Sequence, residues 1–138
     1  MAQKIIESDF KLPVNEYSSL SLAYIGDAVY ELYIRGRLME NANIPPAKLH
    51  RAATHFVSAE AQFKASMYIA DMLDEDENAV FHRGRNAKSA TSPKNADIIH
   101  YRHATGFEAL LGYLYIKGDF ERLNALMKKA YEFLRQGC

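Results

Sequence analysis

The sequence LSLAYIGDAVYELYIR at residues 20–35 predicts the helix around which the rest of the chain is organised. Its large apolar residues recur at steps of three and four positions, which is the helical period: Leu22, Ile25, Val29 and Leu32. Asp27 lies about 200° around the helix from both Ile25 and Val29, because each residue turns the helix by about 100°. We therefore expect Asp27 on a second, mostly apolar face, where a carboxylate needs a charged partner or a metal ion. Gly26 beside it favours close approach of another backbone or of a substrate.

The composition fits one small globular domain. A length of 138 residues suits a single domain with its own core, and 49% hydrophobic with 25% charged residues is ordinary for that class. Seventeen basic residues balance seventeen acidic ones, so the net charge indicates no class of partner.

Cysteine usage and hydropathy favour a cytoplasmic protein. Cys138 is the only cysteine, which excludes an internal disulfide and fits a reducing compartment. Residues 1–10 lack the apolar core of a signal peptide. The longest nearly uncharged run, residues 104–116, is too short to span a bilayer.

Helical patterns account for most of the chain. Residues 1–16 contain two breakers, Pro13 and Asn15, and are expected to form an extended N-terminal arm. Helices are predicted at about 19–40, 47–73, 95–117 and 119–134, with a possible break near 54–58 that would divide the second of them. The acidic run at 71–77 is expected to be a solvated helix start. No segment has the two-residue period of a strand, so we predict one all-α domain over residues 1–138.

The polarity changes at residues 82–95, HRGRNAKSATSPKN, which carry four Lys or Arg residues and no acid. Gly84 and Pro93 are breakers, so the segment is predicted to be a loop. Arg and Lys mixed with Ser, Thr and Asn are residue types that contact phosphate oxygens. A nucleic-acid contact is therefore favoured over a loop that only faces solvent.

A second acid, Glu108, interrupts an apolar and aromatic face of the predicted helix at 95–117. If this helix packs against the first, Asp27 and Glu108 can meet and bind a hard divalent cation such as magnesium. The spacing equally allows each acid to pair with a nearby Lys, Arg or Tyr. Glu31, one turn from Asp27, is an alternative partner, although we expect it to face outward.

Two motifs resemble the ribonuclease III family. LAYIGDA at residues 22–28 resembles its signature, Leu-Glu-Phe-Leu-Gly-Asp-Ser/Ala, and TGFEALLG at 105–112 resembles its second acidic motif, Asp-x-x-Glu-Ala-x-x-Gly. Their order and separation also fit, over about residues 15–135. Ala23 and Thr105 stand where the larger enzymes have Glu and Asp, and no double-stranded-RNA-binding domain is expected after Cys138. These departures resemble the short Mini-ribonuclease III branch of the family.

That resemblance implies a homodimeric, magnesium-dependent endonuclease that cuts double-stranded RNA. The ends of precursor 23S ribosomal RNA are the expected substrate, with 5′-phosphate and 3′-hydroxyl products. The sequence leaves open whether a helper, such as a ribosomal protein, must first remodel the RNA. By resemblance, Asp27 is the main magnesium ligand and Glu108 is the second catalytic acid. Glu60, Asp97 or bound waters are the alternatives for the two missing acids. The expected RNA-binding residues are Arg83, Arg85, Lys88, Ser89, Lys94, Asn95 and Arg102, although Asn95 is also a candidate helix cap.

Two other functions remain open at this stage. With Ala23 and Thr105 the metal site is poor in ligands, which would suit a dimeric RNA-binding or ribosome-assembly factor that does not cut. The basic segment would also suit a helical interaction domain whose partner is a protein.

Overall fold

The computed structural model describes residues 6–88 and 97–137, and the regular elements within these ranges are all helical. This confirms the prediction of an all-α domain. Two short 3₁₀ turns, at Val14–Glu16 and Ala70–Met72, accompany six α-helices: α1 Ser19–Met39, α2 Pro46–Val57, α3 Ala59–Ile69, α4 Glu75–Asn86, α5 Ile98–Lys117 and α6 Phe120–Arg135. Within the same ranges, none of the helices combines the length and the hydrophobicity that crossing a membrane requires.

Polar side chains at the helix starts fix several boundaries. The Ser18 hydroxyl accepts a hydrogen bond from the backbone N–H of Ser21 and caps α1. Ser58 has an extended backbone, and its hydroxyl accepts from the N–H of Ala61. The segment at 47–73 therefore contains two helices, divided at the predicted break.

Helix α5 is the centre of the fold, because it packs against α1, α3 and α4. Four of its large side chains are almost completely buried: Phe107, Leu110, Leu111 and Leu114. A helix covered on several sides needs no polar face, which explains its nearly uniform apolar sequence. The second acidic motif therefore lies in the interior of the domain.

Two glycines bring the backbones of α1 and α5 into contact. A Cβ on Gly26 would overlap the carbonyl oxygen of Glu108 and lie 2.7 Å from its carbonyl carbon. A Cβ on Gly112 would in the same way overlap the carbonyl oxygen of Leu22. The sequence indicated close approach at Gly26, and the structure identifies α5 as the backbone that approaches.

The buried face of α1 differs from the predicted ridge. The residues that α1 buries are Leu22, Ala23, Gly26, Tyr30 and Ile34, whereas Leu32 is 51% exposed. Asp27 was expected on a mostly apolar face, but its side chain is exposed to solvent. Small residues account for the difference. The α5 backbone packs where Ala23 and Gly26 leave room, and the larger residues Ile25 and Val29 are only partly buried at the edge of the core.

Helix α4 corrects two further expectations. It continues to Asn86, so the first five residues of the predicted loop at 82–95 are helical. Gly84 is a contact residue and not a breaker, since a Cβ there would lie 2.9 Å from both Gly106 and Ala109 of α5. The acidic run is only partly solvated: Asp74 caps α4, while buried Glu77 completes the capping box and accepts two hydrogen bonds of 2.8 Å from Arg122.

Helix α5 begins at Ile98, three residues later than predicted, because the Asp97 carboxylate accepts from the N–H groups of Ile99 and His100. The cap of α5 is therefore Asp97, while Asn95, the candidate from the sequence, lies outside the described residues. Helix α5 ends at Lys117. The C-cap is Gly118, whose φ of 85° is the left-handed conformation that favours glycine. In the N-terminal arm, Phe10 makes edge contacts with the rings of Tyr17 and Tyr115.

Candidate active site

Asp27 of α1 and Glu108 of α5 lie side by side as a direct result of the glycine contact. The same crossing that presses Gly26 against the Glu108 backbone places the next residue, Asp27, beside the Glu108 side chain. Asp27 is exposed and Glu108 is half-buried. The pair therefore has one carboxylate open to solvent and one held against the protein interior.

The surroundings of Glu108 disfavour its ionised form. Burial raises the pKa of Glu108 to about 9, and hydrogen bonding to Asp27 and the Asp27 charge act in the same direction. Without a cation, Glu108 is therefore protonated at neutral pH. A divalent cation between the two carboxylates would reverse this preference, because it stabilises the ionised form.

Gln62 of α3 is the third member of the site. It is 3% exposed, and its amide nitrogen donates to Glu108 Oε2 over 3.3 Å and to the carbonyl oxygen of Val57 over 3.0 Å. The bond lowers the pKa of Glu108 and so opposes the effect of burial in part. The role of Gln62 is not evident from the sequence alone. The available signal was a polar residue beside the core positions Ala61 and Ala65.

The other candidate acids, Glu31, Glu60 and Asp97, have partners of their own. Glu31 is half-buried rather than fully outward, forms an ion pair of 3.1 Å with Arg35, and contributes charge that raises the pKa of Glu108. Exposed Glu60 pairs with Lys64 at 3.2 Å, and Asp97 is used as the cap of α5. Over residues 6–88 and 97–137, no cluster of three or more His, Cys, Asp or Glu side chains could surround a metal ion.

The two positions at which acids are missing carry no substitute ligand. Ala23 is buried in a small apolar cluster with Leu22, Val80 and Ala109. The Thr105 hydroxyl donates to the carbonyl oxygen of Tyr101, one turn earlier in α5. Neither position provides a carboxylate, so Asp27 and Glu108 are the acids that meet in this part of the chain.

This donor set fits a magnesium-type ion. Magnesium binds through one or two carboxylates and keeps several waters or substrate phosphate oxygens in its shell. Asp27 and Glu108 supply two hard oxygen donors with unfavourable mutual repulsion, and the exposed side of Asp27 leaves room for waters and a phosphate. Gln62 supplies a neutral donor that does not cancel the negative charge.

Four of the predicted RNA-contacting residues lie in the described ranges. Arg83 and Lys88 are exposed near the C-terminal end of α4, Arg102 is exposed on α5, and half-buried Arg85 donates to the side chain of Asn86. Arg83 lines a recess of about 540 Å³ together with Ser18 and Ser19 at the start of α1. Ser89, Lys94 and Asn95 lie outside the described residues.

Comparison with known proteins assigns the chain to a family. The model of the ribonuclease III domain matches residues 20–119, which include both carboxylates of the pair. A protein named Mini-ribonuclease 3 from Enterococcus faecalis is 50% identical over 114 residues, covering 81% of this chain and 86% of its own length. One of the same name from a Thermoanaerobacter species is 46% identical over 119 residues, with 86% and 84% covered.

One solved structure has a similar fold. The crystal structure of a Fusobacterium nucleatum protein superposes with a TM-score of 0.75 at 31% sequence identity, covering 86% of this chain and 95% of that one. The names of the two relatives agree with the family match at residues 20–119. The chain therefore belongs to the ribonuclease III domain family, a family of endoribonucleases.

Proposed function

We propose that this chain is a magnesium-dependent endoribonuclease that hydrolyses double-stranded RNA at the Asp27–Glu108 pair. The observation that supports this function most directly is the meeting of these two carboxylates at the contact between α1 and α5. A paired carboxylate site open to solvent on one side suits a cation that must reach a phosphodiester in a large substrate.

In this mechanism Asp27 and Glu108 have different roles. Asp27 is exposed to solvent and would hold the cation where RNA can reach it, and half-buried Glu108 would be the second ligand. When bound, magnesium lowers the pKa of a water and stabilises the departing oxygen of the phosphodiester. Glu108 must lose its proton to bind a cation in this way. The hydrogen bond from the Gln62 side-chain amide assists, because it favours the ionised carboxylate. The products would carry 5′-phosphate and 3′-hydroxyl ends.

Duplex RNA would be bound by this domain itself. RNA duplexes are recognised mainly through shape, phosphate and 2′-hydroxyl contacts, which suits basic and hydroxyl side chains. Ser18 precedes Asp27 by nine residues, so the recess that Arg83 lines lies about 13 Å from Asp27 along the axis of α1. The proposed contacts are Arg83, Arg85, Lys88 and Arg102, with Ser89, Lys94 and Asn95 from the segment outside the described residues.

A second copy of the chain would complete the enzyme. The side of α1 near Asp27 presents an apolar groove of about 390 Å³, lined in part by Ile25, Ala28, Val29 and Leu32. Half of the Leu32 surface is exposed there, which is costly for a monomer in water. We propose that a homodimer covers this groove and presents two sites, one to each RNA strand.

The ends of precursor 23S ribosomal RNA are the proposed substrate, in the cytoplasm, with a ribosomal protein as a helper that shapes the RNA. A cleavage assay tests this proposal with three substrates: a long RNA duplex, the naked precursor, and the precursor bound by ribosomal proteins. We expect cutting of the duplex in magnesium, none in EDTA, and enhanced cutting of the protein-bound precursor. Equal cutting of naked and protein-bound precursor would remove the helper from the proposal.

The alternative is a dimeric RNA-binding or ribosome-assembly factor. One observation favours it: the other candidate acids, Glu31, Glu60 and Asp97, are already engaged in ion pairs or a helix cap. The same assay separates the two functions. A protein that binds the duplex in magnesium and leaves all three substrates intact would be an assembly factor and not an enzyme.

A further inference from the structure

Gln62 is a buried polar residue of α3 that is not the cap of its helix. The helix is capped by Ser58, and Gln62 lies one turn further on with 3% of its surface exposed. Its amide nitrogen bridges two acceptors, the Val57 carbonyl oxygen at the end of α2 and Glu108 Oε2 in α5. Its amide oxygen is buried and has no hydrogen-bond partner among residues 6–88 and 97–137.

The neighbours fix the direction of this amide. Val57 offers a carbonyl oxygen and Glu108 a carboxyl oxygen, so the NH₂ group has to face them. Turning the amide over would place its oxygen against the Val57 carbonyl oxygen, which can only accept, and would lose that hydrogen bond. The chain therefore accepts an unpartnered buried oxygen in order to keep a donor on Glu108, which is an uncommon arrangement for a buried polar group.

Gln62 and the glycine contact together hold Glu108 from two sides. The backbone of Glu108 is in contact with Gly26, and its side chain is bonded by Gln62 and faces Asp27. An amide is suited to this task because it is neutral. A Lys or Arg at this position would supply a stronger donor but would also compete with a cation for the two carboxylates.

We infer that Gln62 is a positioning residue that fixes the Glu108 carboxylate beside Asp27 for metal binding. This inference rests on the proposed function, since it assigns Gln62 to the same metal site. Residues that orient a metal ligand affect metal affinity strongly, and their replacement typically weakens binding by about 10- to 100-fold.

The test measures Mn²⁺ binding to the full chain without RNA, from the electron paramagnetic resonance signal of free Mn²⁺. Gln62→Met keeps a similar volume and removes the donor. We expect it to weaken Mn²⁺ binding by about tenfold or more, and to raise the magnesium concentration for half-maximal cleavage by the same factor. Ser66→Ala is the matched control, because Ser66 is also 3% exposed on α3 and its hydroxyl donates to the carbonyl oxygen of Phe63. It should leave Mn²⁺ affinity unchanged.

The outcomes separate this inference from the proposed function. Equal Mn²⁺ affinity of wild type and folded Gln62→Met would overturn the role of Gln62. Equal Mn²⁺ affinity of wild type and Asp27→Asn would instead refute the proposed metal site at Asp27 and Glu108.

A measurement on the wild type is independent of whether the Gln62→Met variant folds. The side-chain amide resonance of Gln62 should shift on magnesium titration in the wild type and not in Glu108→Gln. A Gln62 amide resonance whose chemical shift does not change at saturating magnesium in the wild type would contradict the inference.

Discussion

Replacing Gly26 with alanine should damage both the stability and the activity of this chain. The added methyl carbon would overlap the Glu108 carbonyl oxygen and lie 2.7 Å from its carbonyl carbon. Carbon atoms in ordinary contact are about 3.5–4.0 Å apart, so α1 and α5 would have to separate by roughly 1 Å. A backbone carbonyl inside a helix cannot rotate away as a flexible side chain would. The variant must therefore move a whole helix.

The cost follows from that displacement. Overpacking a core typically costs about 1–3 kcal/mol, and a rigid backbone contact belongs at the upper end or beyond it. We expect Gly26→Ala to lose about 3 kcal/mol of unfolding free energy, which for a domain of this size lowers Tm by roughly 10 °C. Because Glu108 moves with α5, a misplacement of about 1 Å should also reduce cleavage about 100-fold.

Gly36 provides a matched control on the same helix. A Cβ at Gly36 meets no atom within 4 Å, so Gly36→Ala only replaces a poor helix former by a good one. It should stabilise α1 by about 0.5–1 kcal/mol. Urea denaturation of the two variants and the wild type measures both effects. If Gly26→Ala unfolds at the wild-type urea concentration, the two helices do not cross at this glycine and the reasoning is refuted.

Three further predictions follow from single contacts. In EDTA, the unfolding free energy of the wild type should fall as pH rises from about 5 to 9, because the folded chain keeps the Glu108 proton that the unfolded chain releases. Urea titrations at each pH should show a flatter dependence of this free energy on pH for Glu108→Gln. The same pH dependence in both proteins would contradict the raised pKa. Arg122→Met should lower the free energy of unfolding by about 3 kcal/mol in thermal unfolding, because it leaves the 3% exposed Glu77 carboxylate without its cation. A loss below about 1 kcal/mol would show that Glu77 finds another partner or water. Arg83→Ala should weaken duplex RNA binding and reduce the slope of log affinity against log salt by roughly 1, as filter binding over a salt series would show; an unchanged slope would remove Arg83 from the phosphate contacts.

The sequence predicted the helical elements well because their signals are local. Ser18, Asp119 and Gly118 fix helix boundaries through hydrogen bonds within one or two turns. The motif residues Asp27 and Glu108 were also identified from the sequence. Their meeting depended on Gly26, whose small size is visible in the sequence.

What the sequence did not predict depends on contacts between distant segments. Gly84 was interpreted as a breaker because nothing local shows that α5 packs against it. Glu77 was interpreted as solvated because its partner Arg122 is 45 residues away. Gln62 was missed for the same reason, since its importance comes from Glu108, 46 residues further along the chain. A helical period locates apolar faces, but it does not say which small residues admit another backbone.

Cleavage of a long RNA duplex by Asp27→Asn tests the central claim most directly. Asp71→Asn is the control, because Asp71 is also an exposed aspartate and lies in the turn after α3. In magnesium, the wild type and Asp71→Asn should cut the duplex, while Asp27→Asn should bind the same RNA with similar affinity and leave it intact. Cutting by Asp27→Asn at the wild-type rate would show that the Asp27–Glu108 pair is not the catalytic site.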